Sequence, residues 1–291
     1  MRSPAKMGVI QIEITNYCHS SCSNCTRLIG HYRKDQQYFM SLDTFKACVD
    51  SMAGFPEIVG IMGGEPTMHP LFPEMMEYYR AKVQPRKRGL WTSAPPSYFK
   101  HKAIIDETFP RWQLINERAP NSKPSLHQPI LVAISDMVQD EEVRAKLIDQ
   151  CWVQNMWSAS VTPKGAFFCE VAAALDRLYD GPGGWPIEQG WWERTPEDQE
   201  FIEQVDMWCH QCGAACPLPR RESNGVIDDV SMSHFARLAG VSPKVRAGNI
   251  KKFLKQDWTP DKYEWHPSVE WYLKNGSADR LTSDTAKRLG R

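Results

Sequence analysis

No stretch of this chain is long and apolar enough to cross a bilayer. Its start, Met1-Arg2-Ser3-Pro4-Ala5-Lys6-Met7, has no apolar segment behind its charges, so neither a membrane span nor a secretory signal is expected. Net charge is missing too. The 35 Lys and Arg balance the 35 Asp and Glu, which leaves no global field to hold nucleic acid or an anionic membrane surface. There is no internal repeat and no low-complexity tract. What is present is a chain of 291 residues with 42% apolar content, enough for one large domain and a small one. Its nine cysteines, clustered near glycines, argue for metal in a reducing compartment rather than disulfides, with the cytoplasm as the expected location.

The most informative shortage is local. Cys18-x-x-x-Cys22-x-x-Cys25 places three thiols within eight residues, and the next cysteine is Cys48. Three thiolates can hold three irons of a [4Fe–4S] cube and leave the fourth without a protein ligand. An open coordination position is where a catalytic metal site does its chemistry, whereas structural zinc wants four ligands. About forty residues on comes Ile61-Met62-Gly63-Gly64-Glu65-Pro66. Two glycines let the backbone approach a ligand closely, and a carbonyl or carboxylate there can accept hydrogen bonds from an ammonium group. Alone this run also reads as an ordinary turn. Behind a cysteine triplet it is far more specific.

Together the two runs resemble the signature of the radical SAM enzymes, and the resemblance extends over roughly residues 8–216. It implies that S-adenosylmethionine (SAM) chelates the open iron and is cleaved by one electron to a 5′-deoxyadenosyl radical. It implies a reductant such as flavodoxin or ferredoxin. It also implies SAM contacts at Gly63, Gly64, Glu65 and Pro66, and at Thr92 and Ser93 at the end of a later strand. The position before the third cysteine, usually aromatic and set against the adenine, is Asn24 here. The fold implied is α/β, a partial (β/α)6 TIM-like barrel.

Hydrophobic periodicity agrees with alternating strands and helices. Strands are expected at residues 8–14, 57–62, 89–93, 113–115 and 130–134. Helices are expected after Ser41 as N-cap with Phe45, Cys48, Val49 and Met52 on one face, then over Phe72 to Val83, Tyr98 to Glu107, and around Val143, Leu147 and Ile148. Composition shifts near residue 150. A hairpin about Thr162-Pro163-Lys164-Gly165 and a helix from Val171 to Tyr179 follow. The expected division is a barrel core at 1–150, a small unit at 151–218 and a polar extension at 219–291 with one helix, Ser233 to Leu238.

That small unit holds a second cysteine group: Cys151, Cys169, Cys209, Cys212 and Cys216. Cys209-His210-Gln211-Cys212 is a metal-type pair. The group resembles the twitch domain, the shortened SPASM extension of radical SAM enzymes, in which a β-hairpin plus helix carries an auxiliary [4Fe–4S] cluster. The resemblance implies Cys151, Cys169, Cys209 and Cys212 as its ligands. Coordination rules also permit Cys216 in place of Cys151, and four thiolates suit zinc equally well. If Cys216 is not a ligand, it is a candidate hydrogen donor to a substrate radical. Cys48 sits on an apolar helix face and reads as core.

Two classes of function follow. An electron-transfer iron–sulfur protein would want four protein ligands at each site. A radical SAM enzyme wants three at one of them, so the enzyme is expected, as an oxidoreductase or isomerase. The first strand begins near residue 8, leaving no room for a leader-binding domain, which disfavours a ribosomal peptide. A small polar molecule of sugar, nucleoside or amino-acid type suits better. A base in nucleic acid remains an alternative, with Arg86-Lys87-Arg88 as the local patch it would need.

Overall fold

The computed structural model describes residues 1–115 and 124–258. Its first half alternates strand and helix: β1 (Val9–Glu13), α1 (Leu42–Ser51), β2 (Ile58–Met62), α2 (Phe72–Lys82), β3 (Arg88–Thr92), α3 (Pro96–Lys100), α4 (Lys102–Thr108) and β4 (Trp112–Ile115). Then come β5 (Leu126–His127), α5 (Ile134–Met137), α6 (Glu141–Asp149), β6 (Ser158–Thr162), β7 (Gly165–Phe167), α7 (Glu170–Leu178) and α8 (Gln199–Trp208). The last elements are β8 (Arg221–Glu222), β9 (Asp228–Ser231), α9 (Met232–Leu238), α10 (Pro243–Arg246) and β10 (Ile250–Phe253).

Six strands form one sheet in the order β4-β3-β2-β1-β6-β7. All neighbours are parallel except the β6–β7 hairpin. The result is the expected mixed α/β fold with a mostly parallel sheet. Side-chain alternation along β1 explains how it closes. Ile10, Ile12 and Ile14 pack toward the helices beside Phe45, Val49, Met75 and Tyr79. Val9 faces inward with Ile58, Trp91 and Trp112. Gln11 and Glu13 share that inner face and are buried.

Local signals explain the helices. The Ser41 side chain accepts from the Thr44 N–H, capping α1, which buries Phe45, Cys48 and Val49 as expected. The expected helix over 98–107 is two pieces meeting at His101. Along α6, Leu147 and Ile148 are buried but Val143 is exposed.

Three features add to the sequence reading. Residues 130–134 are not a strand. The Ile130 carbonyl accepts from the Gly213 N–H at 2.9 Å, the Leu131 carbonyl from Ser231 at 2.9 Å, and the Ala133 N–H donates to Ser231 Oγ at 3.1 Å. An apolar run can be buried by neighbouring loops as well as by a sheet, and periodicity alone cannot tell these apart. Beyond residue 150, β6 pairs directly with β1 and extends the core sheet. The third concerns the extension, which is more ordered than its polarity suggested: β9 and β10 pair in parallel, and α9 and α10 pack beside them. Its expected Trp- and charge-rich tail beyond residue 258 lies outside the described residues. Among the described residues no helix is long and apolar enough to cross a membrane.

His234 on α9 ties the extension to the second cysteine group. Its Nε2–H donates to the Gln211 carbonyl at 2.6 Å, its Nδ1 accepts from the Tyr179 hydroxyl, and it is buried. Burial brings its pKa from 6.5 down to about 4. The unfolded chain therefore takes up a proton below pH 6.5 that the folded chain refuses, so stability falls as pH drops from 6.5 toward 4. The expected loss is about 3 kcal/mol. Urea unfolding of wild type and His234→Gln across that range checks it. The variant should lose less of its stability, and equal slopes would contradict the assignment.

Candidate metal and cofactor site

The loop after β1 carries Cys18, Cys22 and Cys25, and all three line one cavity of about 210 Å³ at the C-terminal ends of the strands. Gly63, Gly64, Thr92 and Ser93 line it from β2 and β3, Glu170 from the start of α7, and Trp91, Trp152 and Trp157 add three indoles. Arg220, Ser223, His127 and Gln128 line it as well. No disulfide joins any cysteine among the described residues. The Cys25 thiol is brought down to about 5, chiefly by its hydrogen bond with Cys22; burial opposes this, and the His127 charge and the Ile29 and Arg27 backbone N–H groups favour it. A thiolate at neutral pH is the form that ligates metal.

The two glycines do something other than bare a backbone to ligand alone. The Gly64 N–H donates to the Thr15 carbonyl and the Glu65 N–H to the Tyr17 carbonyl, both at 2.7 Å. A Cβ on Gly63 would strike the Thr15 carbonyl oxygen, and one on Gly64 that of Tyr17. The glycines let the end of β2 lie directly against the backbone leading into the cysteine loop.

Glu65 is fully buried and is not among the residues that line the cavity, and Pro66 beside it is buried as well. The Glu65 carboxylate is spent on the protein. Oε1 accepts from the Thr67 N–H at 3.2 Å and from the Thr67 and Thr92 hydroxyls at 2.7 Å. Oε2 accepts from the Ser93 N–H at 2.8 Å and its hydroxyl at 2.7 Å. Glu65 thus holds Thr92 and Ser93 at the cavity wall. Asn24 is bound to the C-terminal segment. Its side chain is buried, with Nδ2 donating to Asp229 at 3.1 Å and Oδ1 accepting from the Asp229 N–H at 2.9 Å.

Behind the loop sits a buried charge cluster that no local motif announces. The Arg27 guanidinium pairs with Glu13 on β1 and with Glu170 at 2.7 Å. Ser160 donates to Glu13 and Ser158 to Glu170. Burial pushes the Glu170 carboxyl up, against the pull of Arg27. Because Glu170 follows Cys169 and Arg27 follows Cys25, this cluster joins the two cysteine groups. The only sequence signal was an acid on an inward strand position and a charge beside each cysteine.

The second group comes together in part as expected. Cys151, Cys169, Cys209 and Cys212 line one small apolar cavity with Ile148, Ala172 and Ala214. Burial raises their thiols, and the charges of neighbouring members of the group raise Cys169, Cys209 and Cys212 further. Cys216 is not in that lining. It is buried with Val132, Ile134 and Leu218 in a cluster against which Cys151 and Cys209 pack, and burial pushes it up to about 12. It does not line the Cys18–Cys25 cavity either. Cys48 is core, as expected. Among the described residues no group of three or more His, Cys, Asp or Glu side chains is arranged to hold a single metal ion.

In Arg86-Lys87-Arg88 only Arg86 is exposed. Arg88 is buried and donates to the Val83 and Arg80 carbonyls at 2.7 and 2.8 Å, and Lys87 donates to the Phe55 carbonyl. His210 accepts from Arg144 Nε at 3.2 Å rather than facing the second cavity.

No family model and no curated protein matches the chain. Solved structures that align with it include two of BtrN. One is BtrN in complex with AdoMet and 2-DOIA, 15% identical, with a TM-score of 0.46 over 70% of this chain and 88% of BtrN. The other is selenomethionine BtrN in an open conformation, 14% identical, with a TM-score of 0.44 over 70% of this chain and 86% of BtrN.

Proposed function

We propose that this chain is a radical SAM enzyme whose cluster is held by Cys18, Cys22 and Cys25. The observation that carries the reading is the meeting of those three thiols with Gly63, Gly64, Thr92 and Ser93 around one cavity. The donor set fits the group: three thiols, one already drawn toward thiolate, leave one iron of a [4Fe–4S] cube for an exogenous ligand. The chemistry such a group supplies with SAM is one-electron reductive cleavage, giving a 5′-deoxyadenosyl radical that takes hydrogen from substrate. The protein's part is to bind, orient and exclude water. The Gly63–Gly64 backbone fixes the loop against β2, Glu65 fixes Thr92 and Ser93, and the indoles of Trp91, Trp152 and Trp157 wall the cavity.

Cys151, Cys169, Cys209 and Cys212 are proposed as ligands of a second [4Fe–4S] cluster, with zinc as the other occupant to be tested. Three indoles beside Arg220, Gln128 and Ser125 suit a small polar ring of sugar or nucleoside type. With Cys216 remote from the cavity, dehydrogenation is favoured over epimerisation, which needs a hydrogen donor at the radical. The test is anaerobic reconstitution with iron and sulfide, then assay of 5′-deoxyadenosine from SAM and dithionite. Wild type should make it, and a Cys18/Cys22/Cys25→Ala triple variant, keeping about four irons of about eight, should make none. A fully loaded wild type that makes none with or without a panel of sugars and nucleosides would remove the reading.

A further inference from the structure

The cysteine loop is held from outside the barrel. Asp228, at the start of β9, is buried and accepts three hydrogen bonds: from the Asn24 N–H at 2.5 Å, from His31 Nε2 at 2.7 Å and from Lys244 Nζ at 2.7 Å. A carboxylate cannot donate, so His31 carries its proton on Nε2, and its Nδ1 accepts from the Ser242 hydroxyl at 2.9 Å. Lys244 Nζ also donates to the Cys22 carbonyl at 2.9 Å, and its backbone N–H to the Gly30 carbonyl at 3.0 Å. Asp229 pairs with the Asn24 amide on one side and with the Arg221 guanidinium at 2.6 and 2.8 Å on the other. The Ser23 N–H donates to the Gly225 carbonyl at 2.8 Å.

Cys22, Ser23, Asn24, Gly30 and His31 thus all bond to the segment 225–244. Asn24 lies between two of the cysteines in a left-handed conformation, φ 47°, with both its backbone and its amide engaged. Charges balance within the network, two carboxylates against Lys244 and Arg221. Buried ion pairs of this kind contribute little net stability, and they fix geometry because any other arrangement strands a charge. The same segment brings Arg220 and Ser223 to the cavity wall.

We infer that Asn24, Asp228, Asp229 and Lys244 are positioning residues of the cofactor site, which set the spacing of Cys22 and Cys25 so that SAM can complete the cluster. The inference rests on the cluster proposed at Cys18, Cys22 and Cys25. Two full-length variants test it. Asn24→Gly keeps the left-handed backbone accessible and deletes only the side chain. The double variant Asp228→Asn with Lys244→Met removes both charges together, so no buried ion is left alone.

The first readout is amide hydrogen exchange of the metal-free proteins. Residues 22–31 should exchange at least tenfold faster in both variants while β1 stays protected as in wild type; unchanged exchange would overturn the inference. The second is electron paramagnetic resonance of the reconstituted, dithionite-reduced proteins during SAM titration. Iron content should be kept, and the SAM concentration giving half of the spectral change should rise about tenfold. A loosened loop with a wild-type SAM response would make the network a structural lock and overturn the positioning role. A wild type that takes up no iron at the three cysteines would remove the proposed cluster, and the positioning role with it, while the exchange data would still show whether the lock exists.

Discussion

Glu65→Gln is expected to destabilise the chain by about 4 kcal/mol, a large share of a domain's stability. The two side chains have the same shape, so the effect comes from donors and acceptors alone. Each carboxylate oxygen receives one backbone N–H, Oε1 from Thr67 and Oε2 from Ser93. Whichever way the new amide turns, its NH2 faces one of these. The hydroxyls of Thr67, Thr92 and Ser93 can rotate to accept instead, but a backbone N–H cannot. One buried donor is therefore left unsatisfied, and charge-assisted bonds become ordinary ones. Denaturant unfolding measures this directly; a change under about 1 kcal/mol would show that the carboxylate is not the organiser of this wall. In protein that still folds, SAM affinity should drop about tenfold, since Thr92 and Ser93 line the cavity.

The second large effect separates two cysteines only a few positions apart. Cys209→Ser should remove about four irons from a reconstituted protein holding about eight, whereas Cys216→Ala should leave the count unchanged. Cys209 shares its cavity with Cys151, Cys169 and Cys212, and the charges of Cys151 and Cys169 act on it directly. Cys216 lies outside that cavity lining, although its charge also raises Cys212. Iron and zinc are measured together: one zinc in place of the four irons would make the site structural, and an iron loss in Cys216→Ala would put the wrong cysteine in the ligand set. Because Glu170 joins Cys169 to Arg27 behind Cys25, loss of the second group is also expected to disturb the first.

The sequence disclosed the site better than its surroundings. Cys18, Cys22 and Cys25 and the Gly63–Gly64 pair were legible because their spacing is short and set by the chemistry they serve. The strands flanking them were legible because a buried parallel strand is a run of β-branched residues between turn signals. What stayed hidden depends on contacts far apart in the chain. Asn24 is committed to Asp229, and residues 130–134 to Gly213 and Ser231, through backbone and amide bonds that leave no periodic trace. The polar segment after residue 218 looked like a surface extension because its buried residues include Asp228, Asp229 and Lys244, which composition counts as exposed.

The chain's order of synthesis adds a consequence. The cysteine loop leaves the ribosome early, yet Asn24 binds Asp228 across 204 positions and the Cys22 carbonyl meets Lys244 across 222. At translation rates of about 5–20 residues per second, the thiols wait about 10–40 seconds for the partners that fix their spacing. Iron delivered during that interval meets a flexible peptide, and iron delivered after release meets a formed site. On the proposed reading, a formed site for the cluster exists only after residues 221–244 have been made, because they hold Asn24 and the Cys22 carbonyl in place.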